Sequence, residues 1–116
     1  MAQVLATDSK GKYVLGGYSY SPDMPVSQNT LNATPGTGGL NGFVAVIDTT
    51  APALNSLVYA SYITGPGSQI VNGVDMDASG AIYLTGYATS DIFPAGQQVH
   101  VSAPGNADAY IFILTP

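Results

Sequence analysis

The chain has 116 residues, seven of them acidic and two basic, with a formal net charge of −5 and no cysteine. Without arginine and at this charge it does not neutralise a phosphate backbone or an anionic membrane surface, which excludes nucleic acid and charged lipid as partners. The missing thiols exclude a disulfide framework and thiolate metal sites, and no apolar run approaches the ~20 residues that cross a bilayer.

The first residues, "MAQVLATD", carry neither a basic n-region nor an apolar h-region, so no signal peptide is expected there. Gly and Pro recur too often along the chain for any helix beyond a turn or two. Between them lie short runs rich in Val, Ile, Tyr and Phe, which read as strands. In chain order the first four are "QVLAT" (3–7), "KYVLGGY" (12–18), "GFVAVID" (42–48) and "SLVYASYI" (56–63). Three more follow: "VNGVDM" (71–76), "AIYLTGY" (81–87) and "AYIFILT" (109–115). "FVAVI" and "YIFIL" are apolar without alternation, which suits strands buried on both faces. The turns "DSKG" and "DASG" join the first and second strand of each set. Asp at the first position accepts backbone N–H bonds and Gly at the fourth takes φ > 0, so Asp8 and Asp77 are expected to be hairpin residues rather than catalytic ones.

The two sets are copies. Asp8 and Asp77, Gly11 and Gly80, Leu15 and Leu84, Gly17 and Gly86, Tyr18 and Tyr87, Ser21 and Ser90, and Pro25 and Pro94 are each 69 positions apart. Each copy is expected to be a four-stranded antiparallel unit of strands a to d, with long b–c loops at 19–42 and 88–109. The second copy stops after strand c. Units of this period with both sheet faces apolar are propeller blades, which need a neighbour on each side. The expected organisation is blade 1 over residues 1–66 and blade 2 over residues 67–116.

The stretch "YASYITGPGSQIVNGVDMDASGAIYLTGYATSDIFP" (59–94) resembles the bacterial β-propeller repeat family abbreviated SBBP. The shared features are a Tyr-rich strand, a Gly-rich turn, an apolar strand ending in Asp, a "D-x-x-G" turn, a "Y-x-T-G" strand and "F-P". "NGFVAVIDTTAPALNSLVYASYI" resembles the next part of that repeat. The resemblance implies a blade of a secreted or cell-surface bacterial protein and carries no catalytic residues with it. Two positions depart from their copies: Asp75 stands where the first copy has Ala6, and His100 lies in a b–c loop opposite Leu31.

Closed propellers have about four to eight blades, so two blades per chain imply a cyclic homo-oligomer. A six-bladed trimer is favoured over rings of four or eight. The alternative is a fragment of a longer propeller. The b–c loops and "TGPGSQ" fall at one end of the blades, and the a–b and c–d turns at the other. Strand a lines the channel, which places Asn72 and Asp75 near the axis.

The sequence contains no G-x-S-x-G, H-E-x-x-H, P-loop or EF-hand pattern. A lone loop histidine is usually packed or solvated, and a channel carboxylate usually faces water, but ring symmetry multiplies both residues. Asp75 and His100 are therefore the candidate catalytic and metal-binding residues. Asn72, Tyr20 and Asp91 are the candidate ligand-binding residues, Tyr20 by stacking on a sugar. Two functions follow. One is a scaffold whose loop face binds a small molecule, glycan or protein partner. The other is a metal-dependent hydrolase of lactonase, esterase or phosphotriesterase type, with a divalent cation such as calcium or zinc on the ring axis. That analogy is of architecture only, and glutamate, a ligand in such enzymes, is absent here.

Overall fold

The computed structural model describes residues 1–27, 30, 33–35, 39–64, 67–89, 98–101 and 108–115, with 98–101 and 108 described by their backbone. These residues form two antiparallel sheets and no α-helix. Sheet 1 holds β1 (Ala2–Thr7), β2 (Lys12–Ser19), β3 (Asn41–Asp48) and β4 (Leu57–Ile63) side by side in chain order. Sheet 2 runs β5 (Gln69–Met76), β6 (Ile82–Ala88), β8 (Asp108–Leu114), with a short strand β7 (Gln98–Val101) beyond β8. A single 3-10 turn, Ala53–Asn55, sits between β3 and β4.

The repeat is present in three dimensions. Each first strand carries an irregularity at the same repeat position, between Ala2 and Val4 in β1 and between Val71 and Gly73 in β5. Gln3 and Asn72 are the extra residues, and such bulges re-aim a strand at the edge of a sheet. Gly17 and Gly86 also match: a Cβ at either would overlap a backbone carbonyl oxygen, Met1 O just before β1 or Ile70 O in β5. These two glycines are fixed by close backbone approach.

Strand pleating sorts the side chains by face. On sheet 1, Val4, Ala6, Val14, Val44 and Val46 share one face, and Leu5, Tyr13, Leu15, Phe43, Ala45 and Ile47 share the other. The first set packs onto sheet 2, where Val71, Ile82, Leu84, Tyr110, Phe112 and Leu114 complete one buried cluster. A Cβ on Gly16 would meet Val71 Cγ1 at 2.6 Å and Val74 Cγ1 at 2.8 Å, so the sheets are in tight contact there. The opposite face of sheet 2 carries Asp75, Tyr83, Thr85, Tyr87, Ile111 and Ile113 and is uncovered.

The fourth strand of sheet 2 departs from the sequence expectation of three. β7, from within the expected b–c loop, pairs antiparallel with β8 at the position that β4 holds beside β3 in sheet 1. It satisfies backbone groups that an open sheet edge would leave to water.

Candidate functional site

The two ends of the molecule are built differently. At the turn end, "DSKG" and "DASG" fold around their aspartates. Asp8 Oδ1 accepts from the backbone N–H groups of Lys10 (2.8 Å) and Lys12 (3.0 Å). Asp77 Oδ1 accepts from the N–H groups of Ser79 (2.9 Å) and Ala81 (3.0 Å) and from Ser79 Oγ (2.6 Å). Tyr83 Oη donates to the other carboxylate oxygen at 3.1 Å. Gly80 N–H donates to Asp77 O at 3.0 Å, and φ of +90° at Gly80 places the residue after the turn in the left-handed region. Gly11 has φ of +105°, and in this copy Ser9 is also left-handed, at +65°, so the two hairpins share their ends but not their middle. Asp48 repeats the device in the β3–β4 turn, accepting from Thr50 N–H (2.9 Å) and Thr50 Oγ1 (2.6 Å). Thr49 joins this turn to the first hairpin by donating to Gly11 O from N–H and hydroxyl, both at 2.8 Å.

These bonds hold all three carboxyls below the ordinary aspartate range. The main cause is the Lys10 N–H at Asp8, the Thr50 hydroxyl at Asp48 and the Ser79 hydroxyl at Asp77. The same contact with Asp77 raises the Tyr83 phenol. Carboxylates whose lone pairs serve their own turn and whose ionised form is favoured make poor proton shuttles at neutral pH. Their geometry agrees with the hairpin role.

Between the two hairpins lies a cleft of about 480 Å³. Asp8, Lys10 and Lys12 line it from sheet 1; Met76, Asp77, Ser79 and Gly80 line it from sheet 2. Sequence reasoning placed the candidate site at the other end and missed this cleft. One signal was available: the only two cations of the chain stand in one hairpin, "DSKGK".

The residues singled out from sequence are dispersed. Asp75 lies on β5 with its side chain exposed on the uncovered face of sheet 2, and its Oδ1 accepts from Met76 N–H at 2.8 Å. His100 lies on β7, paired with Ile111, at the opposite edge of the same sheet. Three inter-strand steps of ~4.8 Å separate β5 from β7, so the two residues are not brought together within one protomer. Asn72 is the exposed bulge residue of β5. Tyr20 is 73% exposed, and Tyr18 stacks edge-on against it with ring centres 6.1 Å apart. Asp91 lies outside the described residues. Among the described residues no three metal-ligating side chains cluster.

The loop end is tied down by Tyr62, whose hydroxyl donates to Ser21 O at 2.8 Å and accepts from Met24 N–H at 2.9 Å. This holds the start of the first b–c segment across sheet 1. Beside it a second, apolar hollow of about 330 Å³ opens on the outer face of sheet 1, away from sheet 2, lined by Met24, Phe43, Ala45, Leu57 and Ala60 among others. Neither a family model nor a curated protein matches the chain.

Proposed function

We propose that the chain is a two-blade β-propeller module that assembles with further copies into a closed ring, six blades from three chains, and serves as a binding scaffold. One observation carries this reading: the two faces in contact inside the chain recur on its two outer sides, exposed on sheet 2 and, on sheet 1, covered by the segment 21–27 only over β4. Gly16 pairs with Val44 on the packed face of sheet 1, and their counterparts Thr85 and Ile111 pair on the uncovered face of sheet 2. Leu84 pairs with Phe112 on the packed face of sheet 2, and their counterparts Leu15 and Ala45 pair on the uncovered face of sheet 1. A contact that joins unlike faces leaves one of each free, and head-to-tail repetition closes into a ring when the rotation allows. The exposed apolar side chains Leu5, Leu57, Tyr83, Tyr87 and Ile111 lie on or beside these faces. The resemblance to secreted bacterial propeller repeats supports the same reading and an extracellular or cell-surface setting.

A binding role, for a small molecule, glycan or protein, suits long loops held on a rigid frame. The hydrolytic alternative requires Asp75 and His100 to act together with a cation, and nothing in one protomer favours it. The test measures the mass of the wild-type protein by light scattering, with bound metal and ester turnover in wild type, Asp75→Asn and His100→Ala. A ring whose metal content and turnover are unchanged in both variants is expected. A folded monomer would refute the assembly. Metal and turnover lost together in an intact ring would replace the scaffold by the hydrolase.

A further inference from the structure

We infer which surfaces of the ring meet, an inference that rests on the propeller reading above: the uncovered face of sheet 1 receives a second copy of this chain, through the uncovered face of that copy's sheet 2. Ile111 of the incoming copy packs over Ala45.

Val44 and Phe112 belong to one buried cluster between the sheets. The repeat places Ile111 where Val44 stands and Ala45 where Phe112 stands, so the same step between two chains sets Ile111 against Ala45. Volume is exchanged across this point. One face grows, from Val44 to Ile111 and from Gly16 to Thr85. The other shrinks, from Phe112 to Ala45. The shrinkage leaves the hollow of about 330 Å³ between Ala45, Phe43, Leu57 and Met24. Ile111 is the matching projection, 46% exposed on the outer face of sheet 2. Cores tolerate such paired changes when total volume is kept, and pay for unpaired ones by clash or cavity.

Charge follows the same step. Inside the chain the cleft at the turn end sets Lys10 and Lys12 on sheet 1 across from Asp77 on sheet 2. Between chains, the side held by Asp8, Lys10 and Lys12 is taken by Asp77, Ser79 and Ala81, and the side held by Asp77 and Ser79 is taken by Asp8 and Lys10. Asp77 of one copy therefore faces both Asp8 and Lys10 of the next, and Asp75, standing where Ala6 stands, adds a second carboxylate on the side of Asp77. Pairing the uncovered faces of two sheets 2 would bring Asp75 and Asp77 of two copies together and is opposed by repulsion. The partner is thus a second copy in head-to-tail orientation.

The chain has no cysteine, so a site-specific cross-link tests the contact without background. Facing sheets lie ~10 Å apart, beyond the reach of a disulfide, and a short bismaleimide is the suitable linker. Ala45→Cys and Ile111→Cys are made singly and together. The two positions lie on opposite outer faces of one protomer, so the linker cannot join them within a chain. Efficient covalent linkage of two and three chains in the double variant, with little in either single variant, is expected. A second arm uses Ala45→Phe, which fills the hollow, alone and with Ile111→Ala. Ala45→Phe should raise the concentration for half-assembly at least tenfold, and the second change should recover part of that loss; circular dichroism checks the fold of each variant. If wild type is a ring but the double cysteine variant does not link, or Ala45→Phe assembles as wild type does, the facing surfaces are wrong while the ring stands. If wild type is a monomer, the propeller reading itself fails.

Discussion

Gly86→Ala places a methyl group where backbone already stands. Its Cβ would lie 2.0 Å from Ile70 O and 2.9 Å from Ile70 C, and 3.1 Å from Tyr110 Oη. No rotamer change relieves contact with a backbone carbonyl, here at the start of β5, so β5 and β6 must part there. Overpacking of this kind costs about 1–3 kcal/mol. The Tyr110 hydroxyl, which donates to Ile70 O at 2.7 Å, is displaced with it. Losing that buried bond adds about 1 kcal/mol. The expected total is about 2–4 kcal/mol, read as a shift in urea midpoint with unchanged slope. Gly73→Ala is the control in the same strand pair. Its Cβ would meet Thr85 Cγ2 at 2.5 Å on the uncovered face, where the exposed threonine can turn away at the loss of its hydroxyl bond to Tyr110 O (2.9 Å). It should cost less than about 1 kcal/mol. Both variants are compared at one protein concentration, because assembly couples to stability. Equal midpoints for the two variants would refute the close-approach account of Gly86.

Gly80→Val should cost roughly 1–3 kcal/mol, since a β-branched residue is strained at φ of +90°, whereas Ser79→Ala should cost less than about 1 kcal/mol in the same thermal melts. Tyr110→Phe should cost about 1–2 kcal/mol in urea by removing the buried bond from its hydroxyl to Ile70 O. Burial raises the Tyr110 phenol, so its contribution is complete below the ordinary value of about 10 and declines as pH rises above it; ultraviolet titration should show this phenol ionising with unfolding. The depressed Asp8, Asp48 and Asp77 carboxyls act in the opposite sense. Their contribution is complete above the ordinary aspartate range and is lost as pH falls below about 4, and Asp77→Asn should flatten that decline in acid unfolding curves.

The strands were legible because β-branched and aromatic runs alternate with Gly, Pro and Asp, and because the chain states its pattern twice. The hairpin aspartates were legible for the same reason: Asp followed three residues later by Gly has one common structural use. β7 was not legible. "QVHV" is short and lies within a long loop, and it becomes a strand because β8 offers an open edge, which is a tertiary cause. Sequence reasoning singles out Asn72 because strand a is expected to line the channel; that it is a bulge residue, like Gln3 in the first copy, was not legible because a bulge shows only in the strand register. The separation of Asp75 from His100 also depended on tertiary structure, because strand order, not spacing in sequence, sets the distance between β5 and β7.

Small-angle X-ray scattering tests the central claim most directly, because it reports mass and size together. One protomer has a radius of gyration of 13.3 Å and a mass of 11.8 kDa. A compact ring of three chains has a radius of gyration of about 20 Å by the scaling for globular chains. The account predicts three times the protomer mass and about that radius, unchanged on dilution through the micromolar range. A particle of protomer mass with a radius near 13.3 Å would contradict it, as would a mass that grows without limit as the concentration rises.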